Sequence, residues 1–183
     1  MGEGIIEKLK EEYELKVEWL GLEIHPETPI GGSDLVKRFG KDGLQGALIN
    51  LNKSGKKYGI EFNKLTHMPN SHNALEAAEY ARTEGKLDEF HSKLMKAYFT
   101  DSEDIGALDV LIALGNECDL DTEKLKDAIE NKSFEEKLNT DAKSAKKYGV
   151  NSTPTFIIND KYTIVGAQPI DAFRRVFDGN NDF

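Results

Sequence analysis

The chain has 183 residues, 38% hydrophobic and 31% charged, the balance of a globular protein with one domain and room for a sizeable insertion. Acidic residues outnumber basic ones 33 to 24, and the net charge of −9 argues against nucleic acid or an anionic membrane as partner. No apolar run reaches a membrane span, the first residues lack a signal peptide's apolar core, and the single cysteine, Cys118, forbids an internal disulfide. A cytoplasmic protein is the expectation.

In chain order, residues 2–12 read as a helix with Ile5, Ile6 and Leu9 on one face. Residues 15–24, carrying Val17, Trp19, Leu20 and Leu22, suit a buried strand. Two prolines and two glycines make residues 25–32 a loop. A short helix over 35–39 and a longer one over 45–58, closed by Gly59, precede a brief extended stretch at 60–65. The middle is all helical. Leu75, Ala78 and Ala81 line one helix, with Gly85 as its stop, and Phe90, Leu94, Ala97 and Tyr98 line the next. Ile105, Leu108, Leu111 and Ile112 line a third, and Leu125 with Ile129 a fourth.

Ser133-Phe134-Glu135-Glu136 predicts a capping box that opens a helix ending at Gly149. Residues 155–158 and 162–165 are two β-rich runs split by Asn159-Asp160-Lys161, a hairpin signal. Pro169 suits the first turn of a final helix that buries Ile170, Phe173 and Phe177, and residues 178–183 read as a loose tail. Without the helical middle the order is α-β-α-ββ-α. That is an α/β, thioredoxin-like fold with an all-α helical insertion and its first core strand absent. The expected division is 1–69 and 133–183 for the core and 70–132 for the insertion.

Pro154 stands at the mouth of the first β-rich run, in "NSTPTFIIND". Proline lacks an N–H and belongs at a strand's first residue or edge, so the pattern alone fits a plain strand start. A cis Thr153–Pro154 bond is the other reading, and cis is found in only about 5–6% of X–Pro bonds.

These residues resemble the DsbA-like, FrnE-type family of thioredoxin-fold disulfide oxidoreductases. The likeness runs through "WLGLEIHPETP", "NSHNALEAAEYAR" and "EFHSKLMKAYFTDSEDIGALDVL" to "YGVNSTPTFIINDKYTIVGAQP". The last segment is the most specific. The resemblance implies a cis-proline loop facing a redox dithiol, with Thr153, Pro154, Gly166 and Gln168 bordering a groove for a protein or small-thiol substrate. Family members that exchange disulfides carry Cys-x-x-Cys between the first strand and first helix, where the helix N-terminus favours a thiolate. No such pair occurs in this sequence, and it is expected upstream of Met1. The expectation is therefore a protein disulfide oxidoreductase or isomerase fold, inactive as this polypeptide, with no catalytic residue in the chain.

Two alternatives differ in kind: a non-catalytic peptide-binding module, or a glutathione-dependent isomerase resembling 2-hydroxychromene-2-carboxylate isomerase. Cys118, at the end of an insertion helix, reads as structural. His25, His67, His72 and His91 share no metal-ligand spacing such as i, i+4 on one helix, and no cysteine accompanies them, so no metal and no cofactor are expected. Removing an interior strand would expose the edges of 17–22 and 155–158. Either another chain fills the gap, giving a homo-oligomer through sheet edges, or the two strands close up.

Overall fold

A computed structural model describes residues 1–179. Helix α1 (Gly2–Lys10) forms where Ile5, Ile6 and Leu9 repeat at helical spacing, and all three are buried. The strand expected over residues 15–24 does not form. Residues 13–20 alternate between half-buried and exposed as a strand would, yet no neighbouring strand pairs with them among the described residues. A strand persists through its ladder, and without one its N–H and C=O groups turn to other partners. The expected closing-up against residues 155–158 is likewise not observed. Instead Arg82 donates to the Trp19 carbonyl, Trp19 stacks on His91 at 4.8 Å, and Gly21 abuts Leu75 and Leu138.

A two-residue antiparallel pair that the sequence did not signal joins β1 (Ser33–Asp34) to β2 (His67–Met68). Helix α2 (Leu35–Gly55) starts under the Asp34 carboxylate, which accepts from the N–H groups of Val36 and Lys37. Gly40, at φ 71° and ψ 162°, breaks it after Phe39, because only glycine tolerates that backbone. The expected pair of helices is thus present, the second beginning before Gln45. A 3-10 turn (Lys56–Tyr58) and Gly59 at φ 69° end the run. Asn52 then holds the following segment by exchanging two hydrogen bonds with the Phe62 backbone, of 2.8 and 2.9 Å.

The insertion comprises α3 (His72–Thr83), α4 (Leu87–Phe99), α5 (Leu108–Glu117) and α6 (Thr122–Glu130), with no strand inside it among the described residues. Its core holds Ala77, Phe90, Leu111, Cys118 and Leu125, all fully buried. Helix α7 (Glu135–Lys147) follows, but the Ser133 capping box does not form. The Phe134 N–H donates 2.8 Å to Glu76 Oε2 instead, so a buried carboxylate from α3 caps α7.

Strands β3 (Thr155–Ile158) and β4 (Tyr162–Val165) pair antiparallel, Phe156 opposite Ile164. Asn159 and Asp160, at φ 52° and 56°, make the turn in the left-handed region that tight hairpins need. Helix α8 (Ile170–Phe177) covers the hairpin, with Pro169 immediately before it rather than within its first turn. A second core gathers Ile5 and Leu9 from α1, Ile158 and Ile164 from the hairpin, and Phe173 and Val176 from α8. Of the expected loose tail, Asp178 is tied down by the Tyr13 hydroxyl at 2.8 Å, and residues 180–183 lie outside the described residues. No described helix is long and apolar enough to cross a membrane.

Candidate functional site at the proline loop

Three stretches meet at Pro154: the start of α1, the loop before β3 and the turn after β4. The α1 backbone reaches the loop because residue 2 has no side chain. A Cβ there would lie 3.1 Å from the Pro154 Cβ and 3.6 Å from the Phe156 Cζ. Met1 supplies no side-chain cap, so the first-turn N–H groups and the positive end of the helix dipole face this junction. The Thr153–Pro154 bond is cis. Pro154 accepts 2.8 Å from the Gly166 N–H, which joins the loop to the β4 exit. Gly166 takes φ 79° there.

Of the four residues expected to border a groove, Pro154 and Gly166 are thus in direct contact. Gln168 is brought alongside by its own N–H bonding the Gly166 carbonyl and by its side-chain amide donating 2.9 Å to the Val165 carbonyl. Thr153 is exposed, and its backbone N–H and C=O have no partner among the described residues. The surface is open rather than enclosed, with Gln168 exposed and Val165 half-exposed. It offers main-chain pairing groups, a proline face and the positive end of a helix. Residues 149–154 and 166–169 contain no cysteine, histidine or carboxylate.

Cys118 is elsewhere. It packs fully buried in the insertion core, and burial pushes its thiol up, so little thiolate forms. His91 is half-buried against the Trp19 ring, and this desolvation pushes its pKa down and favours the neutral ring.

A second constellation lies at the start of α3. His72 and Glu76, four apart on one helix face, meet Glu135 from the first turn of α7. Histidine and cysteine spacing alone did not reveal it. The signal available in the sequence was His-x-x-x-Glu, a mixed nitrogen and oxygen ligand pair. Burial pushes the Glu76 carboxyl up in spite of the Phe134 N–H that it accepts.

The model of the DSBA-like thioredoxin domain family matches residues 1–178. The chain belongs to that family. This DSBA-like chain is 26% identical over 178 residues to the uncharacterized protein YwbO of Bacillus subtilis strain 168, spanning 96% of this chain and 87% of YwbO. Its fold matches that of the probable DsbA oxidoreductase SCO1869 of Streptomyces coelicolor with a TM-score of 0.89 at 17% identity, over 97% of this chain and 82% of the other. A candidate protein disulfide isomerase of Nitrosomonas europaea gives a TM-score of 0.69 at 17% identity, over 96% and 87%. The helical insertion within an α/β core is therefore the architecture of this DSBA-like family.

Proposed function

We propose that this DSBA-like chain supplies the substrate-binding surface of a thiol–disulfide oxidoreductase fold, taking an extended thiol-bearing polypeptide across Thr153, Pro154, Gly166 and Gln168. The observation that carries the reading is the exposed, unpaired backbone of Thr153 next to the start of α1. An extended peptide pairs with such groups as an added strand, and the apolar faces of Pro154 and Val165 flank it.

Exchange by the family's chemistry needs an attacking thiolate and a second thiol to resolve the mixed disulfide. The 183 residues hold one cysteine, and it is buried with its pKa raised. This polypeptide therefore binds such substrates without exchanging their disulfides. The cytoplasm suits it, since no structural disulfide is required.

The test has two arms. An unfolded cysteine-containing peptide, followed by amide chemical shifts, is expected to perturb Thr153, Thr155 and residues 166–168. Thr153→Pro, which removes the N–H donor, is expected to weaken binding by about 0.5–1.5 kcal/mol. Perturbation confined to other surfaces overturns the binding reading. In an insulin-reduction assay the polypeptide is expected to give the background rate. A rate above background that vanishes on Cys118→Ser overturns the second half.

A further inference from the structure

We propose that His72, Glu76 and Glu135 bind one divalent first-row transition-metal ion, with Glu23 as the carboxylate behind the imidazole. The three ligand atoms lie within 4.8 Å of one another. His72 Nε2 is 3.9 Å from Glu76 Oε1 and 3.6 Å from Glu135 Oε2. Ligands about 2.0–2.2 Å from a tetrahedral zinc ion are spaced roughly 3.4 Å apart. The two His72 spacings are a few tenths of an ångström wider than that, and the widest pair, at up to 4.8 Å, closes through a side-chain rotation of the half-exposed Glu135.

Acidic clusters are common on protein surfaces, and Glu76 is what sets this one apart. Its side chain is wholly buried, at 0% exposure, and it is one of very few carboxylates in that position. Oε2 is used by the Phe134 N–H, but Oε1 has no hydrogen-bond partner, and it faces His72 Nε2, which is also buried and unpartnered. Two orphaned polar atoms aimed at each other, at a distance too long for a hydrogen bond, leave a buried desolvation cost that a bound cation would offset.

The surroundings are arranged as metal sites are. Glu23 Oε2 stands 3.5 Å from Nδ1, on the far nitrogen, where a carboxylate holds the tautomer that leaves the Nε2 lone pair facing inward. Glu135 is 46% exposed and His72 23% exposed, which gives the ion an entry path and leaves a position for water. Lys132 Nζ, 3.6 Å from Glu135 Oε2, is the competing cation; its side chain is 61% exposed and free to swing away. One imidazole nitrogen with two carboxylate oxygens and no thiolate suits Zn²⁺, Co²⁺, Fe²⁺ or Mn²⁺ rather than Cu⁺ or an iron–sulfur cluster. Bound there, the ion would clip α3, α7 and residues 15–24 together.

The experiment uses the untagged 183-residue protein, stripped with a chelator and titrated calorimetrically with Zn²⁺ and Co²⁺. One ion per chain is expected, with a rise in melting temperature and a visible Co²⁺ absorption band. His72→Ala and Glu135→Gln are expected to abolish all three. Glu135 is half-exposed, so its variant tests the site without disturbing the core. Glu23→Gln is expected to weaken binding by about tenfold to a hundredfold. No uptake by the folded protein, or uptake of equal affinity in His72→Ala and Glu135→Gln, overturns the proposal.

Discussion

His91 and Trp19 form a natural reporter pair, because Trp19 is the single tryptophan and the two rings are stacked at 4.8 Å with 24° between their planes. Burial lowers the His91 pKa below the ordinary 6.5. In the unfolded chain the ring takes up its proton near that ordinary value, so the unfolded state binds more protons just below it. Folding stability is therefore expected to fall as pH drops through about 6.5 and to stop falling only below the lowered folded value. Protonated imidazole quenches indole, so the Trp19 emission of the folded protein should titrate with a midpoint under 6.5. In His91→Gln that titration should disappear. A midpoint at or above 6.5, or one that survives the substitution, contradicts the assignment.

At the scale of elements, α1 and α8 are clamped at one end. Arg174 donates to both carboxylate oxygens of Glu12, at 2.8 and 2.6 Å, and also reaches Asp171. The Arg174 hydrogen bond holds the Glu12 carboxyl below its ordinary value. With the folded pKa depressed, the clamp's contribution is present above the ordinary glutamate range and is lost as pH falls through the depressed value. The clamp is solvent-exposed, so salt should weaken it. Glu12→Gln is expected to flatten the acid limb of the stability curve and reduce its salt sensitivity, as read by urea unfolding at several pH values. An unchanged acid limb contradicts it.

The helices were legible in the sequence because each carries its own 3.6-residue period, and some also a glycine stop, as at Gly59 and Gly85. The hairpin was legible because its turn residues specify it locally. Residues 15–24 were not, since a strand depends on a partner elsewhere, and alternation survives without one. The α7 cap was hidden for a similar reason: the acceptor lies 58 positions away, and the local Ser133 signal misled. At the candidate site, Pro154 and Gly166 were legible through the family motif, whereas the approach of α1 through Gly2 had no local mark.

Considered whole, the molecule has two hydrophobic clusters of opposite connectivity. The insertion cluster is built from residues 74–134, whereas the other needs Ile5 and Leu9 from the beginning of the chain and Phe173 and Val176 from the end. On a ribosome the insertion's own core emerges as one continuous stretch, while α1 waits for partners in α8 that are made more than 160 residues after it. Local contacts form faster because less loop entropy opposes them. The Glu76 carboxylate would then already be positioned when the Phe134 N–H appears, so the insertion serves as the template on which α7 starts. In pulsed hydrogen exchange during refolding, amides of α3–α6 are expected to gain protection before those of α1 and the hairpin. Simultaneous protection, or the reverse order, would mean that the ends find each other first. Until they do, α1 leaves the ribosome as an amphipathic helix with its apolar face uncovered, a segment for chaperones to hold during synthesis.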